Sequence, residues 1–254
     1  MSELVSLSVD PSGAAEILID RPERHNAMTL DMYESLLALV AQCEADSSVR
    51  CILLRGAGGK SFISGTDIGY FTGFRDGRDG VAYEAFVERV IGTVERIAKP
   101  TIAVIDGWAV GGGLALATAC DFRVCSDASR FGAPIAKTLS NTLSSRNIAR
   151  LQAALGTPRV KKMLLLADYL TADEALACGY VYQVCAPGLL QEAAHTLAQR
   201  LMALSPVTQK AVKESLRRIV VEKRLDDDDL IEEVYGSASF KEAVLAFTSG
   251  SSKA

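Results

Sequence analysis

The chain has 254 residues, 49% of them apolar and 23% charged, enough to bury a large core in one large domain or two small ones. Its formal net charge of −4 argues against a nucleic-acid binder that works through a broad basic face, because phosphate neutralisation supplies most of such affinity. The opening residues Met1 to Leu7 hold neither a basic region nor a long apolar one, so no secretory signal is expected and the chain reads as cytoplasmic.

Taken in order, Leu4 to Val9 and Ala14 to Ile19 flank Asp10-Pro11-Ser12-Gly13 and read as a hairpin. Leu30 to Glu44 places Tyr33, Leu36, Leu37 and Val40 on one helical face, and Arg50 to Leu54 returns as a buried strand. Tyr70 to Gly80 has three glycines and no period, and reads as a mobile loop that could cover a ligand. Apolar residues from Tyr83 to Ile97 recur at three- and four-residue steps, marking an amphipathic helix that stops before Pro100. Ile102 to Ile105 is the next strand.

The most apolar window, 101–120, is crossed by Asp106 and carries four glycines, which suits a buried strand, turn and helix better than a membrane span. Further on, Thr171 to Glu174 has capping-box spacing, Ser205-Pro206 pairs an N-cap with proline at the first helical position, and Asp226 to Asp229 puts negative charge at a helix start. From Leu189 the chain is expected to be almost wholly helical. The whole reads as an α/β core of repeated strand, strand and helix with a helical appendage. Cys43, Cys51, Cys120, Cys125, Cys178 and Cys185 form no Cys-x-x-Cys pair and have no nearby histidine, so they read as buried thiols and no metal site is expected.

Two loops stand out, Phe62 to Asp67 and Gly107 to Gly113, each after a strand-like run. Glycines there let backbone N–H groups approach a ligand, and two such loops can aim two donors at one oxygen, the arrangement of an oxyanion hole. The second runs into the helix-forming Leu114-Ala115-Leu116-Ala117, whose N-terminal N–H groups and dipole favour negative charge.

These loops, with Arg21 to Met28, Lys99 to Gly107, Cys120 to Arg123 and Ala172 to Val181, occur in the order and at the spacing of the crotonase (enoyl-CoA hydratase/isomerase) superfamily, which the chain resembles from about Leu4 to its C-terminal helices. The resemblance implies a crotonase-like spiral over residues 1–200 and a helical oligomerisation region over 201–254, assembling as a homotrimer or a dimer of trimers. Apolar tail residues Leu230, Ile231, Val234, Phe240 and Phe247 are expected to be exposed for that purpose. It implies an acyl-CoA thioester substrate, coenzyme A being part of the substrate and no separate cofactor being needed. The thioester oxygen would accept from the N–H groups of Thr66 and Gly112. The CoA-side positions are Arg24, His25, Ala27, Lys60, Ser64, Asp67 and Ile68, with Asp67 fixing its loop. The family often ends in a basic segment that meets CoA; the ending Thr248 to Ala254 implies a modest CoA affinity.

The chain departs from the family's hydratases at both proton-moving positions. Those enzymes carry one glutamate two residues after the third glycine and another four after the aromatic residue of a later strand. Ala115 and Ile135 stand there, and neither moves a proton. Hydration is therefore not expected, and an isomerase, lyase or hydrolase-like step is favoured. The stretch Phe131 to Asn147 carries many hydroxyl and amide groups; Asn141 and Ser144 are candidates for reaching the pocket, although Ser140 to Ser145 suit a helix cap as well. No carboxylate lies between Phe131 and the end of the next helix, which disfavours the nucleophilic aspartate of the family's dehalogenases. Glu84 is the remaining candidate acid or base, although it equally suits the first turn of a helix. His25 and His195 receive no chemical role, and Trp108 reads as a core aromatic that could line the pocket.

Two rivals remain. Gly56 to Ser61 ends in Gly-Lys-Ser, but a phosphate loop needs an earlier glycine where Leu54 stands and a helix afterwards, and Gly107 to Gly113 does not match a dinucleotide fingerprint. A non-catalytic acyl-CoA-binding protein on the same fold takes its support from Ala115 and Ile135.

Overall fold

A computed structural model describes residues 2–186 and 188–249. The segment 250–254, most of the ending from which a modest CoA affinity is expected, lies outside the described residues. Strands β1 (Val5–Val9) and β2 (Ala14–Ile19) form the expected antiparallel hairpin, its turn closed by Asp10, which accepts from the Ser12 N–H and hydroxyl. The remaining strands are β3 (Cys51–Gly56), β4 (Ser61–Ile63), β5 (Thr101–Ile105), β6 (Trp108–Val110), β7 (Phe122–Ser126), β8 (Arg130–Gly132), β9 (Leu170–Thr171) and β10 (Gln183–Cys185). The helices are α1 (Leu30–Ala45), α2 (Gly77–Arg96), α3 (Gly112–Ala119), α4 (Ile135–Thr138), α5 (Ser145–Leu155), α6 (Thr157–Leu165), α7 (Ala172–Ala177), α8 (Leu190–Met202), α9 (Pro206–Arg217), α10 (Asp228–Gly236) and α11 (Ala238–Thr248).

The strand pairs β3–β4, β5–β6 and β7–β8 each contribute a first member to one sheet and a second to another, which is the strand-strand-helix repeat. The large sheet runs β1-β2-β3-β5-β7-β10, parallel from β2 onward, and the small one β4-β6-β8-β9. Strand alternation explains the apolar runs. Ala14, Cys51, Leu53, Ile102 and Val104 face α8, packing on Leu190, Ala194 and Leu197, while Ala15, Ile52, Leu54, Ala103 and Ile105 join the main core on the other face.

Helix starts follow their caps. Thr29 accepts from Met32 N–H ahead of α1, Thr171 and Glu174 complete a capping box at α7, and Ser205 with Pro206 opens α9. The segment read as a mobile loop is ordered. Ile68–Gly73 is a 3-10 turn capped by Asp67, and Gly77 to Gly80 form the first turn of α2 behind an Asp76 cap. Tyr70, Phe71 and Phe74 pack around Tyr83, with Phe71 edge-on at 4.9 Å; this packing overrides the poor helix propensity of the glycines.

Three further expectations need correction. Leu230 is buried at the start of α10, whereas Ile231, Phe240 and Phe247 are exposed and Val234 is half-buried. Trp108 is 41% exposed and stands edge-on to Tyr169, so it is not a core residue. Cys178 is half-buried, while the other five free cysteines are buried. Among the described residues no helix is long and apolar enough to cross a membrane.

Candidate active site

Parallel pairing of β4 with β6, Ser61 opposite Trp108 and Ile63 opposite Ala109, lays the two glycine loops side by side. They touch: a Cβ on Gly65 would lie 3.4 Å from the Val110 carbonyl and 3.6 Å from the Gly112 nitrogen. Gly65 has φ +105°, which a residue with a side chain adopts only under strain. At Gly113 a Cβ would fall 1.9 Å from the Ile63 carbonyl oxygen, so α3 starts against the end of β4 only because that residue is glycine.

The backbone of Thr66 is oriented by its neighbours. Met28 N–H donates to the Gly65 carbonyl (2.8 Å) and Asp67 N–H donates to the Met28 carbonyl (2.9 Å). This pairing uses the groups on either side of Thr66, so its own N–H points away from Met28. Gly112 is the first residue of α3, where an N–H has no intrahelical acceptor. Among the described residues neither N–H donates to another backbone group.

Three hydroxyls stand beside this pair. Thr66 Oγ1 lies 3.0 Å from Tyr33 OH and 2.6 Å from Tyr83 OH, joining α1, the loop and α2. Burial raises the Tyr33 phenol above its ordinary range; burial also pushes Tyr83 up to about 12, against the hydrogen bond to Thr66. Both stay protonated at neutral pH. Sequence reasoning placed these tyrosines only on apolar helix faces; the available signal was a hydroxyl inside an aliphatic stripe, since a buried phenol needs a partner.

Glu84 is not in a first turn. It sits about two turns into α2, half-buried, and its Oε2 accepts from Ser144 N–H at 2.7 Å. Burial raises its carboxyl above the ordinary glutamate value, the Ser144 hydrogen bond opposes this, and the charge of Glu88 adds to it. Its charge also acts on both Tyr83 and Tyr33, placing it in their electrostatic neighbourhood. Ser144 uses its hydroxyl as the N-cap of α5, accepting from Asn147 N–H, and Asn141 is exposed. Ala115 is buried within α3 and Ile135 is half-buried at the start of α4.

The positions expected on the CoA side lie around one junction of the first and second blocks. Arg21 donates to Asp67 (2.7 Å) and to the Ala27 carbonyl, and this bond holds the Asp67 carboxyl below its ordinary range, helped by the Gly69 N–H. Buried Asn26, which sequence reasoning did not single out, donates to the carbonyls of Ala57 and Ser61 and accepts from Arg21 N–H, pinning the first block to the second. Arg24, His25, Lys60 and Ile68 are exposed around this junction, and Ser64 is half-buried. Lys60 and Ser61 run into β4 and not into a helix, which removes the phosphate-loop reading. A cavity of about 550 Å³ lies elsewhere, between α9 and the core, walled by Ala119, Phe122, Leu201, Val212 and Leu216.

The chain is similar to known proteins over most of its length. Residues 10–250 match the family described as enoyl-CoA hydratase/isomerase. The chain is 32% identical over 217 residues to a short-chain-enoyl-CoA hydratase of Clostridium acetobutylicum, covering 85% of this chain and 82% of that protein. It is 31% identical over 189 residues to a crotonyl-CoA hydratase of Syntrophomonas wolfei, covering 74% and 72% respectively. Among solved structures, an enoyl-CoA hydratase/carnithine racemase from Magnetospirillum magneticum superposes with a TM-score of 0.88 at 28% identity, over 98% of this chain and 94% of that one. The chain belongs to the enoyl-CoA hydratase/isomerase family.

Proposed function

We propose that this family member binds an acyl-CoA thioester and stabilises its enolate, the thioester oxygen accepting from the N–H groups of Thr66 and Gly112. The observation that carries the reading is the pair of unspent backbone donors on two touching loops, one at the N-terminus of α3. Such donors act without reorganising when charge develops on the oxygen, and the helix dipole adds to them. Exposed Arg24 and Lys60 supply positive charge for the CoA phosphates on a chain that is acidic overall.

Glu84 is the proposed acid or base. Its raised carboxyl lies nearer neutrality than an ordinary glutamate, the direction that suits proton transfer at physiological pH. The relatives are named as hydratases, but hydration needs groups that activate water and protonate carbon, and Ala115 and Ile135 supply neither. Losing acid–base assistance costs about 10²–10⁴-fold. An isomerase, lyase or hydrolase-like step on a different acyl group is the favoured reaction. The exposed apolar residues Ile231, Phe240 and Phe247 support assembly into trimers through the helical end.

The test measures deuterium exchange at the α-carbon of butyryl-CoA in heavy water beside hydration of crotonyl-CoA. Protein-dependent exchange with little hydration is expected. Fast hydration unaffected by Glu84→Gln would overturn the assignment of the acid or base, and binding without exchange would leave a non-catalytic acyl-CoA binder.

A further inference from the structure

The three hydroxyls carry a direction. Each has one proton, and the chain can run Tyr33 to Thr66 to Tyr83 or the reverse. Tyr33 is 1% exposed, and its hydroxyl makes no hydrogen bond other than that to Thr66 among the described residues. Were Thr66 to donate to Tyr33, the Tyr33 proton would be buried without an acceptor, an arrangement proteins avoid. Tyr33 therefore donates to Thr66; among the described residues the Thr66 hydroxyl has no partner besides the two tyrosines, so its own proton goes to Tyr83. This leaves the proton of half-buried Tyr83 unspent, and its oxygen is fixed 2.6 Å from Thr66 Oγ1 in the residue whose N–H is the proposed oxyanion donor.

The ring of Tyr83 packs among aromatic side chains, while Thr66 and the Glu84 charge stand near its hydroxyl. Exposed Tyr70 and half-buried Phe71 and Phe74 pack on its ring, so a wall of aromatic carbon carries one oriented O–H. Apolar walls with a single placed polar group are the usual build of a site that selects one ligand oxygen. The charge of Glu84 nearby disfavours a carboxylate as that ligand group.

We infer that Tyr83 donates its hydroxyl proton to a neutral acceptor oxygen on the acyl chain, so that the site prefers acyl-CoA thioesters bearing a carbonyl beyond the thioester over their saturated counterparts. The inference rests on the acyl-CoA reading above and assigns its substrate class. Tyr83 acts here as a specificity residue, and the phenol stays protonated throughout.

The test is calorimetric binding of acetoacetyl-CoA and butyryl-CoA, which differ by one oxygen, with free-thiol release followed to exclude turnover during the titration. Wild-type protein should prefer acetoacetyl-CoA by about three- to tenfold, the worth of one neutral hydrogen bond. Tyr83→Phe, which keeps the ring and the aromatic packing, should bring the two affinities to parity through weaker acetoacetyl-CoA binding alone. Both thioesters binding wild type equally, or a preference that survives in folded Tyr83→Phe, overturns the inference and leaves the acyl-CoA reading intact. If neither thioester binds, both fall together.

Discussion

Replacing Gly112 separates the donor from the space around it. A Cβ at this position lands 2.9 Å from the Tyr33 hydroxyl, so any side chain forces that oxygen to move and strains its bond to Thr66. Gly112→Ala carries this cost and keeps the N–H. Gly112→Pro carries the same Cβ and removes the N–H, at the one helical position where proline is well tolerated because no intrahelical acceptor is lost. The preceding Gly111, at φ 56° and ψ −118°, already lies outside the helical region that a following proline disfavours. Because the proline ring also puts Cδ where the Gly112 amide hydrogen pointed, the two variants differ by at least one oxyanion donor, about 2.7–4 kcal/mol, or roughly 10²–10³ in rate. The assay is α-carbon deuterium exchange at saturating butyryl-CoA, with circular dichroism to establish that both variants fold. A proline variant within about tenfold of the alanine variant, both folded, would refute the reasoning.

Glu84→Gln should abolish the acidic limb of the exchange rate against pH; in the wild type the rate should fall as pH drops through a carboxyl value above the ordinary 4.5, because only the ionised form accepts a proton. The same raised value means that the folded state holds this proton more tightly than the unfolded one, so Glu84 costs stability as pH rises from 4.5 through the folded value, and the glutamine variant should lose that dependence in urea titrations. Arg150, with only 4% of its side chain exposed, is bidentate to Glu88 and also bound to Glu95. Arg150→Met should cost about 3–5 kcal/mol in urea unfolding by leaving two half-buried carboxylates side by side without their cation, and an effect below about 1 kcal/mol would contradict that. Glu214 is held at about 2, first by Arg217 and also by Arg218, so its contribution is present above the unfolded value of 4.5 and is lost as pH falls towards 2. Hydrogen exchange should show α9 and α10 loosening across that window ahead of the sheet.

The fold was legible wherever a local rule carried it. The hairpin around Asp10, the caps at Thr171 and Ser205 and the short apolar runs of β3 and β5 each depend on residues close in sequence. The two glycine loops were legible for the same reason, since a backbone turn beside a helix start is written in consecutive residues. What sequence could not give was order or contact imposed from a distance. Tyr70 to Gly80 has no period of its own and is fixed by aromatic packing on Tyr83. The hydroxyl chain joins residues 33 and 17 positions apart from Thr66, and no periodicity connects them. Leu230 is likewise buried by packing that the local pattern of α10 does not encode.

The central claim is that the Thr66 and Gly112 N–H groups share one thioester oxygen. A crystal structure of the protein with bound butyryl-CoA tests it most directly. The account predicts that oxygen within about 2.7–3.1 Å of both nitrogens, with the acyl chain running towards Tyr83. A thioester oxygen outside hydrogen-bond reach of either nitrogen, or an acyl chain lodged in the cavity beneath α9, would contradict it.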